Sequence, residues 1–191
     1  MTVEISEGAL VLELDAERCL KWDGHAAYKN GVGRLPHTNA VDICASVAGD
    51  GAVLIEIKDF RGATKPAASD LARAIADKAR DTLAGMLWAC SRGLSERFHE
   101  ALVAELLERK KQRVIFWMEE NQLDAAAASA LQDRIRQELR PHIRADVLVT
   151  SSLLETKSSK PLPWLRVRGL PSQRIAQRPR RPSGSRAPKK R

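Results

Sequence analysis

The chain predicts an α/β domain built on a mixed central sheet flanked by helices. Three observations carry that prediction. Short apolar runs near residues 9–14, 40–60, 111–118 and 145–151 alternate with longer segments of helical spacing. Their order (strand, hairpin, helices, strand, helix, strand) requires crossover connections as well as tight turns, hence parallel and antiparallel pairs in one sheet. The composition, 43% hydrophobic and 29% charged, is rich enough to bury a core.

Residues 9–14 read as a strand or as the end of a short helix. Residues 15–39, with Gly24, Gly31, Gly33 and Pro36, read as a long connection with little regular structure. Residues 40–48 and 52–60 form strands joined by Gly49-Asp50-Gly51, whose glycines suit the positive φ angles of a tight hairpin. Ser69 or Asp70 caps a helix reaching about Arg92, with Leu71, Ile75, Ala79, Leu83, Met86, Leu87 and Cys90 on its buried side. Gly93 stops it. Residues 95–109 form a second helix, 111–118 a strand, 124–140 an alanine-rich helix ending before Pro141, and 145–151 a strand. A last short strand falls at 164–168.

Charge separates the chain into two parts, residues 1–171 as the folded domain and 172–191 as a disordered basic tail. The formal net charge is +8. Eight of the 32 Lys and Arg lie in the tail, which has no acid; the other 24 balance all 24 Asp and Glu in residues 1–171. The tail would add a salt-sensitive, sequence-independent affinity for phosphate backbones. No apolar run approaches the roughly 18 residues of a membrane span. Three scattered cysteines, Cys19, Cys44 and Cys90, fit reduced thiols in the cytoplasm better than a disulfide framework.

The hairpin carries the chemistry. Alternation places Val53, Ile55 and Ile57 on one face of its second strand, and Leu54, Glu56 and Lys58 on the other. In the first strand Val41 and Ile43 oppose Asp42 and Cys44. Asp42 and Glu56 are thus expected on one face, a few ångströms apart. Two carboxylates in apolar strands repel and lose hydration, so they call for a cation, and removing either should relieve repulsion. Mg²⁺ (or Mn²⁺) suits such hard oxygen ligands. Lys58, about 7 Å beyond Glu56 on the same face, is placed to orient a water or to meet charge on a phosphoryl group.

Asp42, followed across the hairpin by Glu56-Ile57-Lys58, resembles the PD-(D/E)XK signature of restriction-endonuclease-like nucleases, with Val41 where the motif has proline. The resemblance implies a restriction-endonuclease-like fold. It makes Asp42, Glu56 and Lys58 catalytic, with Asp42, Glu56 and the Ile57 carbonyl on the metal and Lys58 assisting the hydrolytic water. Residues 20–90 also look like a group of small bacterial nuclease-like domains, through Lys21-Trp22-Asp23, the strand segments at 40–42 and 55–61 and the helix stretch 78–85. That likeness favours Asp23, over Glu13 and Glu17, as a further metal carboxylate. The implied partner is nucleic acid, DNA before RNA, with a homodimer where both strands are cut. The competing reading keeps the fold as a catalytically silent binding module.

Other signals are weaker. Lys78 reads as part of a solvated helix flank. Cys19, His25, His37 and Cys44 fit no common zinc spacing. Phe116, Trp117 and Met118 read as core, and no Gly-rich phosphate loop is present.

Overall fold

The computed structural model describes residues 1–94, 97–108, 112–121, 123–159 and 161–169. The 172–191 tail lies outside the described residues. Thr2–Glu7 (β1) and Leu10–Asp15 (β2) pair antiparallel across a turn in which Gly8 takes a φ of +58°. β1 was not expected from the sequence, although its alternation is visible: Val3, Ile5 and Glu7 are half-buried while Thr2, Glu4 and Ser6 are exposed. The period-two reading of residues 9–14 as strand is the one adopted, with Leu10, Leu12 and Leu14 buried.

The connection at 15–39 is more regular than its composition suggests. It holds the short strand Arg18–Leu20 (β3), a 3-10 turn at Trp22–Gly24, the one-turn helix Ala26–Asn30 (α1) and a second 3-10 turn at Val32–Arg34. The hairpin follows as Ile43–Val47 (β4) and Gly51–Asp59 (β5), turning through Gly49 and Gly51 at φ of +82° and +68°.

Next come helices Ala68–Ser91 (α2) and Arg97–Glu108 (α3), strand Gln112–Glu119 (β6), helix Ala125–Leu139 (α4) and strand Ala145–Thr150 (β7). The helix Ser152–Glu155 (α5) and the strand Leu165–Gly169 (β8) complete the described chain. α2 begins without a side-chain cap, its N-cap position being Ala67, so neither Ser69 nor Asp70 serves that role. Asp124 does cap α4, accepting from the Ala127 amide at 2.7 Å.

The strands form two sheets. The larger has the order β3-β4-β5-β6-β7: β3, β4 and β5 run antiparallel, while β6 and β7 run parallel to β5. The parallel pairs are reached through the α2–α3 and α4 crossovers. The smaller sheet has the order β1-β2-β8, so the last strand joins β2 rather than the central sheet. The fold is mixed α/β, as expected.

The layering differs from a sheet flanked by helices on both faces. Leu54, Phe116 and Val149 pack with Ile75, Ala79 and Met86 of α2 and Ile135 of α4. The opposite face, through Ile43, Ile55, Ile57 and Trp117, packs with Leu10, Leu12 and Leu14 of β2 and with Trp164. Helices therefore cover one face and the three-stranded sheet covers the other. β5 is buried on both sides, so its apolar residues run almost without interruption. Glu56 interrupts them. Among the described residues no helix is long and apolar enough to cross a membrane.

Candidate functional site

Glu56 lies on the helix side of β5, next to Leu54, and has no solvent exposure. A carboxylate in that position needs counter-charge. Two lysines supply it: Lys58 pairs with Glu56 Oε1 at 2.9 Å, and Lys78, from the middle of α2, donates to the same oxygen at 2.6 Å. Both ammonium groups converge on Oε1. Oε2 is buried and has no hydrogen-bond partner among the described residues.

Asp42 sits just before β4, where the chain bends out of the regular strand, and is also buried. Its Oδ2 accepts the Ile57 amide at 2.7 Å, a side-chain bond where a strand ladder would continue. The bend corrects the expected alternation: Val41 joins Cys44 in the helix-side core instead of following Ile43 to the other face. The Val41 amide donates to Thr82 Oγ1 at 2.9 Å, which anchors this segment to α2. Burial, then the charge of Glu56, pushes the Asp42 carboxyl up from 3.8 to about 7, against the Ile57 amide and the two lysines, which pull it down. Lys58 is held above its ordinary range: its partial burial works against this, but Glu56 and Asp42 outweigh it.

Asp23 reaches the cluster from the 3-10 turn after β3. Its neighbour Trp22 is buried against α2 at Gly85, where a Cβ would stand 3.5 Å from the indole and 2.8 Å from Val32. That close approach sets the turn, and with it Asp23, against α2. Carboxylate oxygens of Asp23, Asp42 and Glu7 lie within 4.8 Å of one another, close enough to share one cation. Asp23 Oδ1 has no partner among the described residues, whereas Glu7 Oε2 accepts from Lys21 at 2.7 Å. An open cleft of about 330 Å³ runs past Glu7, Gly8, Ile57, Lys58 and Arg61. A larger cleft of about 600 Å³ lies between α4 and α5, lined by Leu123, Leu148, Leu153 and Leu154. Asp124, Glu155 and Lys157 also line it, but none of the Asp42, Glu56 and Lys58 cluster does.

The structure thus brings together Asp42, Glu56, Lys58 and Asp23, and engages Ile57 through its amide; the carbonyl was the expected contributor. Glu13 and Glu17 do not join the mutually close carboxylates of Glu7, Asp23 and Asp42. Two further members went unread. Glu7 ends the alternating β1 on the inward face with Val3 and Ile5. Lys78 lies three residues after Ile75 and four before Thr82, both buried, and so on the packed side of α2 rather than on a solvated flank.

Comparison of the chain with protein-family models, curated proteins and solved structures finds no match.

Proposed function

We propose that the protein is a metal-dependent nuclease-like enzyme, hydrolysing phosphodiester bonds of nucleic acid, DNA before RNA, on a restriction-endonuclease-like fold. The mixed sheet with helical crossovers is compatible with that fold. The observation that carries the reading is the meeting of Asp42, Glu56 and Lys58 of the hairpin with Lys78 of α2 and with Asp23, Lys58 bordering an open cleft. A divalent cation fits the residues present: the donors are hard carboxylate oxygens, and the buried Glu56 Oε2 and Asp23 Oδ1 have no partner among the described residues.

Asp42, Glu56 and Asp23 would hold Mg²⁺ or Mn²⁺, with the Ile57 carbonyl a further donor by the family resemblance. When bound, the ion supplies Lewis-acid polarisation of a phosphoryl oxygen. Lys78 fixes the rotation of the Glu56 carboxylate by holding Oε1, which leaves Oε2 free to act. The Ile57 amide does the same for Asp42. Lys58, more exposed than Lys78 and bordering the open cleft, is placed to hold a water or meet negative charge developing on the phosphoryl group. Cutting both strands of a duplex calls for a second copy, so a homodimer on DNA belongs to the same proposal.

One observation favours the silent-module reading. Lys58 and Lys78 already neutralise Glu56, and Lys21 pairs with Glu7, so much of the acidic cluster is compensated without metal. The test is incubation of the full chain with mixed single- and double-stranded DNA and RNA in Mg²⁺, Mn²⁺ or chelator. Cleavage that appears only with metal supports the enzyme. Metal binding without cleavage of any substrate favours the module.

A further inference from the structure

The N-terminal hairpin contributes a carboxylate that no motif in the chain points to. Alternation along β1 turns Val3, Ile5 and Glu7 inward, and the β1–β2 turn carries Glu7 to the rim of the cleft beside Lys58. Its carboxylate lies within 4.8 Å of those of Asp23 and Asp42. Three mutually close carboxylates alone do not define a site. The second observation is Glu56: it is fully buried, its Oε2 is unpartnered among the described residues, and it sits close enough to Asp42 for that carboxyl to feel its charge. Lys58, which grips Glu56, also feels Asp42 and Glu7. Asp42 therefore links the buried, unpartnered Glu56 to the Glu7 and Asp23 carboxylates.

A protein cation stands at the edge of the carboxylate group. Lys21 Nζ donates to Glu7 Oε2 at 2.7 Å and to the Ser6 carbonyl at 3.4 Å. It lies two residues before Asp23, so a single short segment supplies one carboxylate and a cation that occupies another. The pair is partly exposed, and a point-charge ammonium on a flexible stem exchanges readily. We infer that Glu7 is a ligand of the divalent-cation site and that Lys21 is the internal cation a metal displaces from it. The assignment rests on the metal-dependent reading above. It makes the small sheet part of the centre and sets metal affinity by a competition within the chain.

Titration calorimetry of the full chain with Mn²⁺ tests this, using the parent, Glu7→Gln, Glu7→Asp, Lys21→Ala and the Lys21→Ala/Glu7→Gln double variant. Glu4→Gln, on the outward face of β1, is the control. Glu7→Gln should weaken Mn²⁺ binding by at least the roughly 10- to 100-fold that losing even an outer partner costs a metal site. Glu7→Asp keeps the charge but shortens the reach, and should weaken binding in the same direction while the protein stays folded. Lys21→Ala should tighten binding in the parent, and that gain should vanish in the Glu7→Gln background. Glu4→Gln should stay within about twofold, because the outward carboxylate meets no metal. Equal affinity for the parent and both Glu7 variants, or a Lys21→Ala gain that persists without Glu7, overturns the inference alone. A parent that binds no Mn²⁺ overturns it together with the metal-dependent reading. Loss of affinity in the Glu7 variants of a protein that cuts no nucleic acid leaves the inference standing and removes the nuclease reading.

Discussion

Lys78 and Thr82 stand one helical turn apart on α2, and between them they hold the two halves of the acidic cluster. Lys78 donates to Glu56 Oε1 at 2.6 Å, and Thr82 Oγ1 accepts the Val41 amide at 2.9 Å, one residue before Asp42. Side chains four apart share a helix face, so one stretch of α2 sets both β4 and β5 of the hairpin. Thr82→Val removes the acceptor and leaves a buried amide unpaired. The expected cost is about 1–3 kcal/mol, read by urea denaturation, with weaker Mn²⁺ binding as Asp42 loses its anchor. Unchanged stability would mean that the Val41 amide finds another partner and that α2 does not position Asp42.

The two acids should respond in opposite senses to neutralisation. Glu56→Ala leaves Lys58 and Lys78 facing each other without the anion between them. A fully buried pair costs about 3–5 kcal/mol to break; both lysines are partly exposed and can turn outward, so roughly 1–3 kcal/mol of destabilisation is expected. Asp42→Asn keeps an acceptor for the Ile57 amide and removes a charge that Glu56 opposes. Without metal it should leave stability unchanged or raise it near pH 8. The sequence alone suggested relief from removing either acid. Two lysines on one oxygen make Glu56 the exception. Thermal unfolding of both variants decides this, and a stabilised Glu56→Ala would contradict the ion-pair account.

Asp42 also gives a pH dependence. Its folded pKa, about 7, lies above the ordinary 3.8. Between those values the native protein retains a proton that the unfolded chain has released, so stability falls as pH rises from about 4 through 7. Below that window the contribution is favourable, and above it the full cost of a buried charge is present. Denaturation between pH 5 and 8 should show this slope in the metal-free parent, a flatter one in Asp42→Asn, and a smaller one in the parent with saturating Mg²⁺, which favours the ionised form. Identical slopes for parent and Asp42→Asn would assign the dependence to another group.

Much of this was legible in the residues. The alternation in Leu54, Glu56 and Lys58 placed the acid and lysine on one face, and the Gly49–Gly51 turn fixed the pairing of β4 with β5. Asp23 came only through a family likeness, since nothing local distinguishes a ligand from a solvated loop acid. Lys78 was obscured by its type: a lysine among Arg73, Asp77 and Arg80 reads as solvated, and only the buried Glu56 opposite explains why it turns inward. Glu7 needed tertiary information, because β1 reaches the site across the second sheet, far away in sequence from the hairpin. The one-sided helical layer was missed for the same reason. β8 carries no mark that it pairs with β2 instead of the central sheet.

The central claim is that Asp42, Glu56 and Lys58 divide the work of metal-dependent phosphodiester hydrolysis. The measurement that meets it most directly is cleavage by Lys58→Ala at saturating Mg²⁺, compared with the parent at equal metal occupancy. A lysine is no ligand for a hard cation, so the variant should bind Mg²⁺ within a few-fold of the parent while losing cleavage by roughly 10²-fold or more, the scale of removing one donor aimed at developing charge. A Lys58→Ala protein that cuts DNA as fast as the parent would contradict the account.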